Sequence, residues 1–140
     1  MQKCALVATL VIFHGLSAAQ AQEAGGTSAS SGVFTTEQAK NGERAYEAQC
    51  ATCHGSDLLS TDVEAPDLTA RAFKLGWNGK TIANRFEQIR KTMPPGTTRL
   101  DDQTYLDIVT YILQFNGIPA GNQKLVPDIS ILEKIVIAIP

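Results

Sequence analysis

The chain has 140 residues, a length that suits a single domain. Its 12 lysine and arginine residues against 14 aspartate and glutamate residues give a formal net charge of -2, which argues against a protein that binds nucleic acid through its phosphates. Hydrophobic residues make up 44% and charged residues 19%, which is a globular rather than a disordered composition. Aromatic residues reach only 6%, so we expect a modest apolar core that a covalent or cofactor crosslink supplements.

Residues 1–21 have the features of a cleaved signal peptide. Lys3 supplies positive charge, residues 5–13 are an apolar run with Thr9 as its one polar residue, and Ala19-Gln20-Ala21 fits a cleavage site. A run of nine residues is too short to span a bilayer, because a transmembrane helix needs about 20. We therefore expect export to the periplasm and a mature chain without a membrane span.

A flexible leader is predicted over residues 22–34, which are rich in glycine, serine and alanine. A helix is expected to begin at Thr35, because Thr35 and Gln38 have the spacing of a capping box. It continues toward Cys50 with small or apolar residues at three- and four-residue spacing. Within a helix, Gly42 costs about 1 kcal/mol relative to alanine. We expect a close helix–helix crossing there, the alternative being a glycine with no packing role.

Two further helices follow in the sequence. Apolar residues spaced by four and three from Ile82 predict a helix that ends near Met93, since a residue before proline avoids the helical conformation. The other is predicted from the acidic pair at 101–102 to the Asn-Gly stop signal at 116–117. Residues 56–70 are predicted to be a loop. No segment alternates with period two before residue 128, so the core is expected to be all-α.

An apolar tail, residues 128–140, follows the predicted domain of residues 35–127. Seven of the 13 tail residues are isoleucine, leucine or valine. Ser130 and Glu133 have the spacing of a helix capping box, whereas the isoleucine and valine content suits a strand. The tail either folds back over its own domain or docks on a partner. Both interpretations are open from the sequence.

Residues 50–54 read Cys-Ala-Thr-Cys-His, the C-x-x-C-H pattern of a covalent haem c attachment site. Cys50 and Cys53, three residues apart, lie on one face of a helical turn, where each can form a thioether with a porphyrin vinyl group. His54 then provides an axial ligand to the iron. There are three weaker alternatives. A thioredoxin-like motif would follow a strand, a structural zinc site would need four ligands, and a plain disulfide is the third.

The second axial position of such an iron is open to His, Met, Lys, Tyr or no residue. No second histidine remains after signal cleavage, and Met93 is the one methionine of the mature chain. It precedes Pro94-Pro95-Gly96, whose two prolines restrict the backbone. We predict that Met93 is the distal iron ligand, the alternative being a methionine that fills the core.

These features together resemble the class I c-type cytochromes over about residues 35–121. The segments that carry the resemblance are CATCHG at 50–55, APDL at 65–68, MPPG at 93–96 and YILQFNG at 111–117. The resemblance implies a small all-α fold, with short helices and long loops around one haem c bound through Cys50 and Cys53. It also implies that the Pro66 carbonyl accepts a hydrogen bond from His54. Trp77 would donate to a haem propionate, unless it is simply a core residue.

We expect an electron carrier rather than an enzyme, with His54 and Met93 as the iron ligands. The resemblance is greatest to small cytochrome subunits or domains that serve periplasmic dehydrogenases, including quinone-dependent alcohol dehydrogenases. It implies a dehydrogenase as electron donor and another cytochrome or a terminal oxidase as acceptor. The alternative is a haem-based ligand sensor or peroxidase-like enzyme in which Met93 is absent from the iron or leaves it easily. Residues 80–99 carry a local excess of four positive charges, which either steers an acidic partner or is a solvated face.

Overall fold

A computed structural model describes residues 26–96 and 99–139. Within them, the helices are α1 (Thr36–Gln49), α2 (Ala51–His54), α3 (Ala70–Trp77), α4 (Ile82–Thr92), α5 (Asp102–Phe115) and α6 (Ile129–Leu132). A two-stranded sheet joins β1 (Thr27–Ser28) to β2 (Ile135–Val136), and a 3-10 turn (Ala29–Ser31) follows β1. The predicted all-α core is confirmed, and the predicted signal peptide lies outside the described residues.

Helix α1 begins where the sequence predicts, because the Thr35 hydroxyl accepts a hydrogen bond from the Gln38 N–H at 3.1 Å. The Gln38 side chain is used elsewhere. It is buried, and its amide nitrogen donates to the Asp107 carboxylate and the Leu125 carbonyl, both at 2.9 Å. Its amide oxygen accepts from the Leu125 N–H at 2.9 Å. Both the nitrogen and the oxygen of the Gln38 amide thus have hydrogen-bond partners in the core. These distant partners replace the Thr35 N–H, which is the partner in a capping box.

The predicted close crossing at Gly42 is confirmed, and it joins α1 to α5. A Cβ atom at Gly42 would lie 1.9 Å from the Asp107 carbonyl oxygen, so only glycine allows this approach. The rings of Tyr46 and Tyr111 continue the contact, with 5.2 Å between their centroids. Helix α4 also packs on α5, which is therefore buried from position 105 to position 113.

The ends of α4 and α5 agree with the sequence prediction, whereas α3 was not predicted. Helix α4 ends in front of Met93, and α5 begins after Asp101, whose carboxylate accepts a hydrogen bond from the Thr104 N–H at 2.9 Å. Helix α3 has only eight residues. Its buried face consists of Phe73 and Trp77, whose rings lie 5.2 Å apart. Two buried side chains in two turns are too weak a periodicity for sequence-based assignment.

The structure differs from the predicted flexible leader over residues 26–34. Strand β1 pairs in parallel with β2, and Ala29 and Phe34 are completely buried. The composition of this segment favours flexibility, but its pairing partner lies near the other end of the chain. Local composition carries no information on that partner.

The C-terminal tail folds back on its own domain. Leu132 and Ile137 are completely buried, and Ile135 is 6% exposed. The Gly79 N–H donates to the Ile137 carbonyl, and the Ile137 N–H donates to the Lys80 carbonyl, both at 2.8 Å. The tail contains both predicted kinds of structure, the short helix α6 and the strand β2. The residue that caps α6 is Asp128 rather than Ser130, since the Asp128 carboxylate accepts from the Ser130 N–H at 2.9 Å.

Replacing Ile137 by alanine is expected to lower the free energy of unfolding by about 2–5 kcal/mol, because it leaves a cavity at a completely buried position. Ile131 provides the matched control, since it lies on the same tail but is 42% exposed. Ile131→Ala is expected to cost less than about 1 kcal/mol. Denaturant unfolding of the two purified variants measures both values. Equal small losses would contradict the packing of the tail.

Candidate functional site

A cavity of about 450 Å³ lies between the helices and the loops that join them. Its wall contains all six residues that the sequence analysis singled out: Cys50, Cys53, His54, Pro66, Trp77 and Met93. Ligand sites in proteins commonly have volumes of about 300–1,000 Å³ and mostly apolar walls with a few polar groups. The cavity is therefore large enough for an organic cofactor.

The C-x-x-C-H motif forms a single helical turn at the cavity wall. Cys50 caps α2, and its carbonyl accepts hydrogen bonds from the N–H groups of Cys53 at 3.1 Å and His54 at 3.0 Å. Both cysteines are free thiols and partly exposed. Burial and the neighbouring Cys53 raise the pKa of the Cys50 thiol to about 11. A thioredoxin-like nucleophile requires a lowered pKa, so the environment disfavours that alternative.

Gly55 ends this turn in a conformation that favours glycine. Its φ is 71°, and a Cβ atom would lie 2.1 Å from the Leu59 carbonyl oxygen. The Tyr46 hydroxyl, on α1, donates to the Gly55 carbonyl at 2.8 Å. Burial raises the pKa of Tyr46, so its hydroxyl keeps the proton that it donates. The motif is thus attached to α1 at both of its ends.

The His54 ring is oriented by the loop that follows the motif. It is 7% exposed, and its Nδ1 lies 2.9 Å from the Pro66 carbonyl oxygen. A carbonyl only accepts hydrogen bonds, so Nδ1 carries the proton and Nε2 keeps its lone pair for a metal. This is the contact that the resemblance implies for the two residues.

The loop that carries Pro66 is bonded to the rest of the domain. The Leu68 N–H donates to the Leu58 carbonyl at 2.8 Å. Asn116, which follows α5, donates its side-chain amide to the Leu68 carbonyl at 2.9 Å, although the two residues are 48 positions apart. The sequence predicts Asn116 only as a helix stop signal. Its second role depends on a contact that no local pattern indicates.

Met93 lies half-buried in the cavity wall, directly after α4. The hydroxyl of Tyr105, on α5, donates to the Met93 carbonyl at 2.7 Å and accepts from the Leu100 N–H at 3.3 Å. The Arg99 guanidinium donates to the Pro94 carbonyl at 3.1 Å. The Tyr105 hydroxyl therefore holds the backbone before and after Pro94-Pro95. The sequence pattern places Tyr105 only on the apolar face of α5.

Trp77 ends α3 and is 5% exposed. It contacts Phe73 in the core and also lines the cavity. The guanidinium carbon of Arg85 lies 5.8 Å from the centroid of the Trp77 ring. Trp77 is thus a core residue that also borders the cavity, and its donation to a haem propionate stays a prediction.

The groups in the cavity wall fit a covalently bound haem. Two thiols one helical turn apart, an imidazole with a free Nε2 and a thioether are the groups that haem c uses for attachment and axial ligation. Across residues 26–96 and 99–139, no group of three or more His, Cys, Asp or Glu residues could hold a metal ion. A structural zinc site requires four such ligands, so that alternative lacks support in this part of the chain.

The helical fold and the C-x-x-C-H turn at its cavity define a class I c-type cytochrome. The chain belongs to the family described as cytochrome c oxidase, cbb3-type, subunit III, whose model matches residues 37–112. None of the curated proteins and none of the solved structures matches the chain significantly. Membership of this family identifies a haem-based electron-transfer protein and implies covalently bound haem c, for which Cys50 and Cys53 have the required spacing.

Tyr105→Phe keeps the ring but removes the hydroxyl that joins Met93 to Leu100. We expect the free energy of unfolding to fall by about 1–3 kcal/mol, because a partly buried carbonyl and N–H lose their partner. The Leu100 amide is expected to exchange its proton for deuterium faster. Tyr111→Phe is the control, since the described residues provide no hydrogen bond to the Tyr111 hydroxyl. Unchanged exchange at Leu100 in Tyr105→Phe would contradict the role of the hydroxyl.

Proposed function

We propose that this protein is a periplasmic mono-haem electron carrier in which His54 and Met93 are the axial ligands of the iron. The observation that carries the proposal is that both residues line the same cavity as Cys50 and Cys53. With protein side chains in both axial positions, no coordination position is open to a substrate, so electron transfer is favoured over catalysis. When bound, the haem supplies one-electron chemistry by cycling between ferrous and ferric iron.

The surrounding residues hold the two ligands in place. The Pro66 carbonyl fixes the His54 ring through its hydrogen bond with Nδ1. The same bond raises the basicity of Nε2, which makes it a better ligand for the iron. Tyr105 fixes the backbone of Met93. Apolar side chains of α5, Ile108 and Ile112, line the cavity and make that part of its wall apolar. Ligands that move little between oxidation states suit rapid electron transfer, and thioether ligation with burial favours a relatively high reduction potential.

The periplasmic location is supported by the signal-like sequence of residues 1–21, which lies outside the described residues. We propose cleavage after Ala21. Among the helices that the structure describes, none is long and apolar enough to cross a membrane.

We propose a dehydrogenase as the electron donor and another cytochrome or a terminal oxidase as the acceptor. The donor is supported by the resemblance to cytochromes that serve dehydrogenases. The acceptor is compatible with the family description, which names a subunit of an oxidase. The protein acts either as a free carrier or as the electron-transfer subunit of its dehydrogenase.

The predicted steering role of residues 80–99 has limited support. Arg90 and Lys91 both form ion pairs with Glu87, and Arg85 is partly buried in the cavity wall. Three acidic side chains line the same cavity: Asp62, Glu64 and Asp67. The charge around the site is therefore mixed. Docking through the C-terminal tail would depend on Ile131, since most of the other apolar side chains of the tail are at least partly covered by the domain.

Covalent attachment is tested by extraction and mass measurement. The exported protein is expected to keep its colour after acid–acetone treatment, because thioether bonds survive it, and to have the mass of residues 22–140 plus one haem. In the Cys50→Ala, Cys53→Ala double variant, any bound haem is expected to be extracted. Wild-type protein that releases its haem would contradict attachment at the two cysteines.

Met93→Ala tests the distal ligand. The variant is expected to lose the weak far-red band of ferric iron bound by thioether sulfur, to have a lower reduction potential and to bind carbon monoxide. It should remain coloured, because Cys50, Cys53 and His54 are unchanged.

Ile89→Ala is the control for the Met93 experiment, because Ile89 also lines the cavity but has no ligating atom. It is expected to keep the far-red band. An unchanged spectrum in Met93→Ala would show that another residue is the ligand. Wild-type protein that binds carbon monoxide as readily as Met93→Ala would favour the sensor or peroxidase-like alternative.

A further inference from the structure

Arg85, a partly buried residue, places a positive charge in the cavity wall. It lies on α4, and its guanidinium packs beside the Trp77 ring and donates one hydrogen bond to the Gln88 side chain. Its Nε atom is buried and has no hydrogen-bond partner among the described residues. Burial lowers the pKa of the guanidinium, but an arginine side chain keeps its proton in proteins. The positive charge therefore persists at the cavity wall.

A cation that loses part of its hydration gains stability when an anion pairs with it. The ion pairs of the described residues join Glu87 to Arg90 and Lys91, and Asp102 to Arg90. None of them includes Arg85. The polar partner that Arg85 does have, the side chain of Gln88, is uncharged.

The cavity wall contains few positively charged groups that could bind an anion. Within the described part of the chain, Arg85 is the single lysine or arginine among the cavity-lining residues. The other ionisable side chains in the wall belong to Tyr46, Cys50, Cys53, His54, Asp62, Glu64 and Asp67. A carboxylate that enters this cavity therefore meets three carboxylates that repel it and one guanidinium that attracts it.

We propose that the Arg85 guanidinium, supported by the Trp77 ring, binds a propionate carboxylate of the haem. The unpartnered Nε and the remaining guanidinium nitrogens provide donors in the planar arrangement that matches a carboxylate. The assignment rests on the proposed function and adds a haem contact that the sequence pattern does not indicate.

The pairing has consequences for the redox properties. Ferric haem carries one more positive charge than ferrous haem, so the Arg85 cation disfavours the ferric form and raises the reduction potential. The same cation stabilises the ionised propionate and holds the pKa of that propionate low. The potential of the wild-type protein is therefore expected to change little between pH 5 and pH 9.

The test compares the haem-loaded wild type with three variants by redox titration between pH 5 and pH 9. In Arg85→Gln, the potential at alkaline pH is expected to be lower than in the wild type. It should rise as the pH falls, because the propionate now takes up a proton in this range. Arg85→Lys keeps the charge and is expected to restore most of the wild-type profile. Arg71→Gln removes an exposed arginine outside the cavity wall and is expected to match the wild type.

Haem content is the second measurement, because loss of the propionate contact also weakens haem retention before attachment. Arg85→Gln is expected to contain less haem per protein than Arg71→Gln. If both variants have the same potential, pH profile and haem content, the Arg85 assignment is wrong while the proposed function stands. A wild-type protein without haem would contradict both.

Discussion

The close approach of α1 and α5 at Gly42 is the constraint on which the rest of the site depends. Helix α1 leads directly into the turn that carries Cys50 and His54, and α5 contributes Ile108 and Ile112 to the cavity lining. Any side chain at position 42 would collide with the α5 backbone and separate the helices. The absence of a Cβ at Gly42 thus sets the position of the motif relative to the cavity wall. The packing gained at this crossing offsets the cost of a glycine within a helix.

Hydrogen bonds from side chains to backbone carbonyls hold the loops that complete the cavity. His54 bonds to Pro66, and Tyr105 bonds to Met93. Each bond contributes only about 1 kcal/mol net, but leaving a buried carbonyl without a partner costs more. A chain with few aromatic residues can fix the conformation of long loops in this way, because each hydrogen bond holds a particular backbone atom. Apolar packing is non-directional, so a larger apolar core would fix the loop conformation less specifically.

The chain ends extend the core beyond the segment that matches the family, residues 37–112. Ile137 bonds to the backbone of Gly79 and Lys80, which join α3 to α4. The N–H of Ile139 also donates to the Asn78 side chain at 2.9 Å. The tail therefore supports the connection between the two helices that carry Trp77 and Arg85. A segment that the sequence presents as an appendage thus stabilises one wall of the cavity.

The sequence by itself determined the all-α core, the ends of α1, α4 and α5, and the haem attachment motif. These features depend on neighbours within a few residues: the Thr35 cap, the proline after Met93 and the spacing of the motif cysteines. Only the tertiary structure decided the partners of Gln38 and Tyr105, the existence of α3 and the place of the tail. Gln38 and Tyr105 bond to common polar groups that are distant in the sequence, and the tail packs on a part of the domain that is distant from it as well. Helix α3 is stable only because its buried face packs against the rest of the core. Local chemistry limits which groups can pair, and the packing of the whole domain selects the pairs that form.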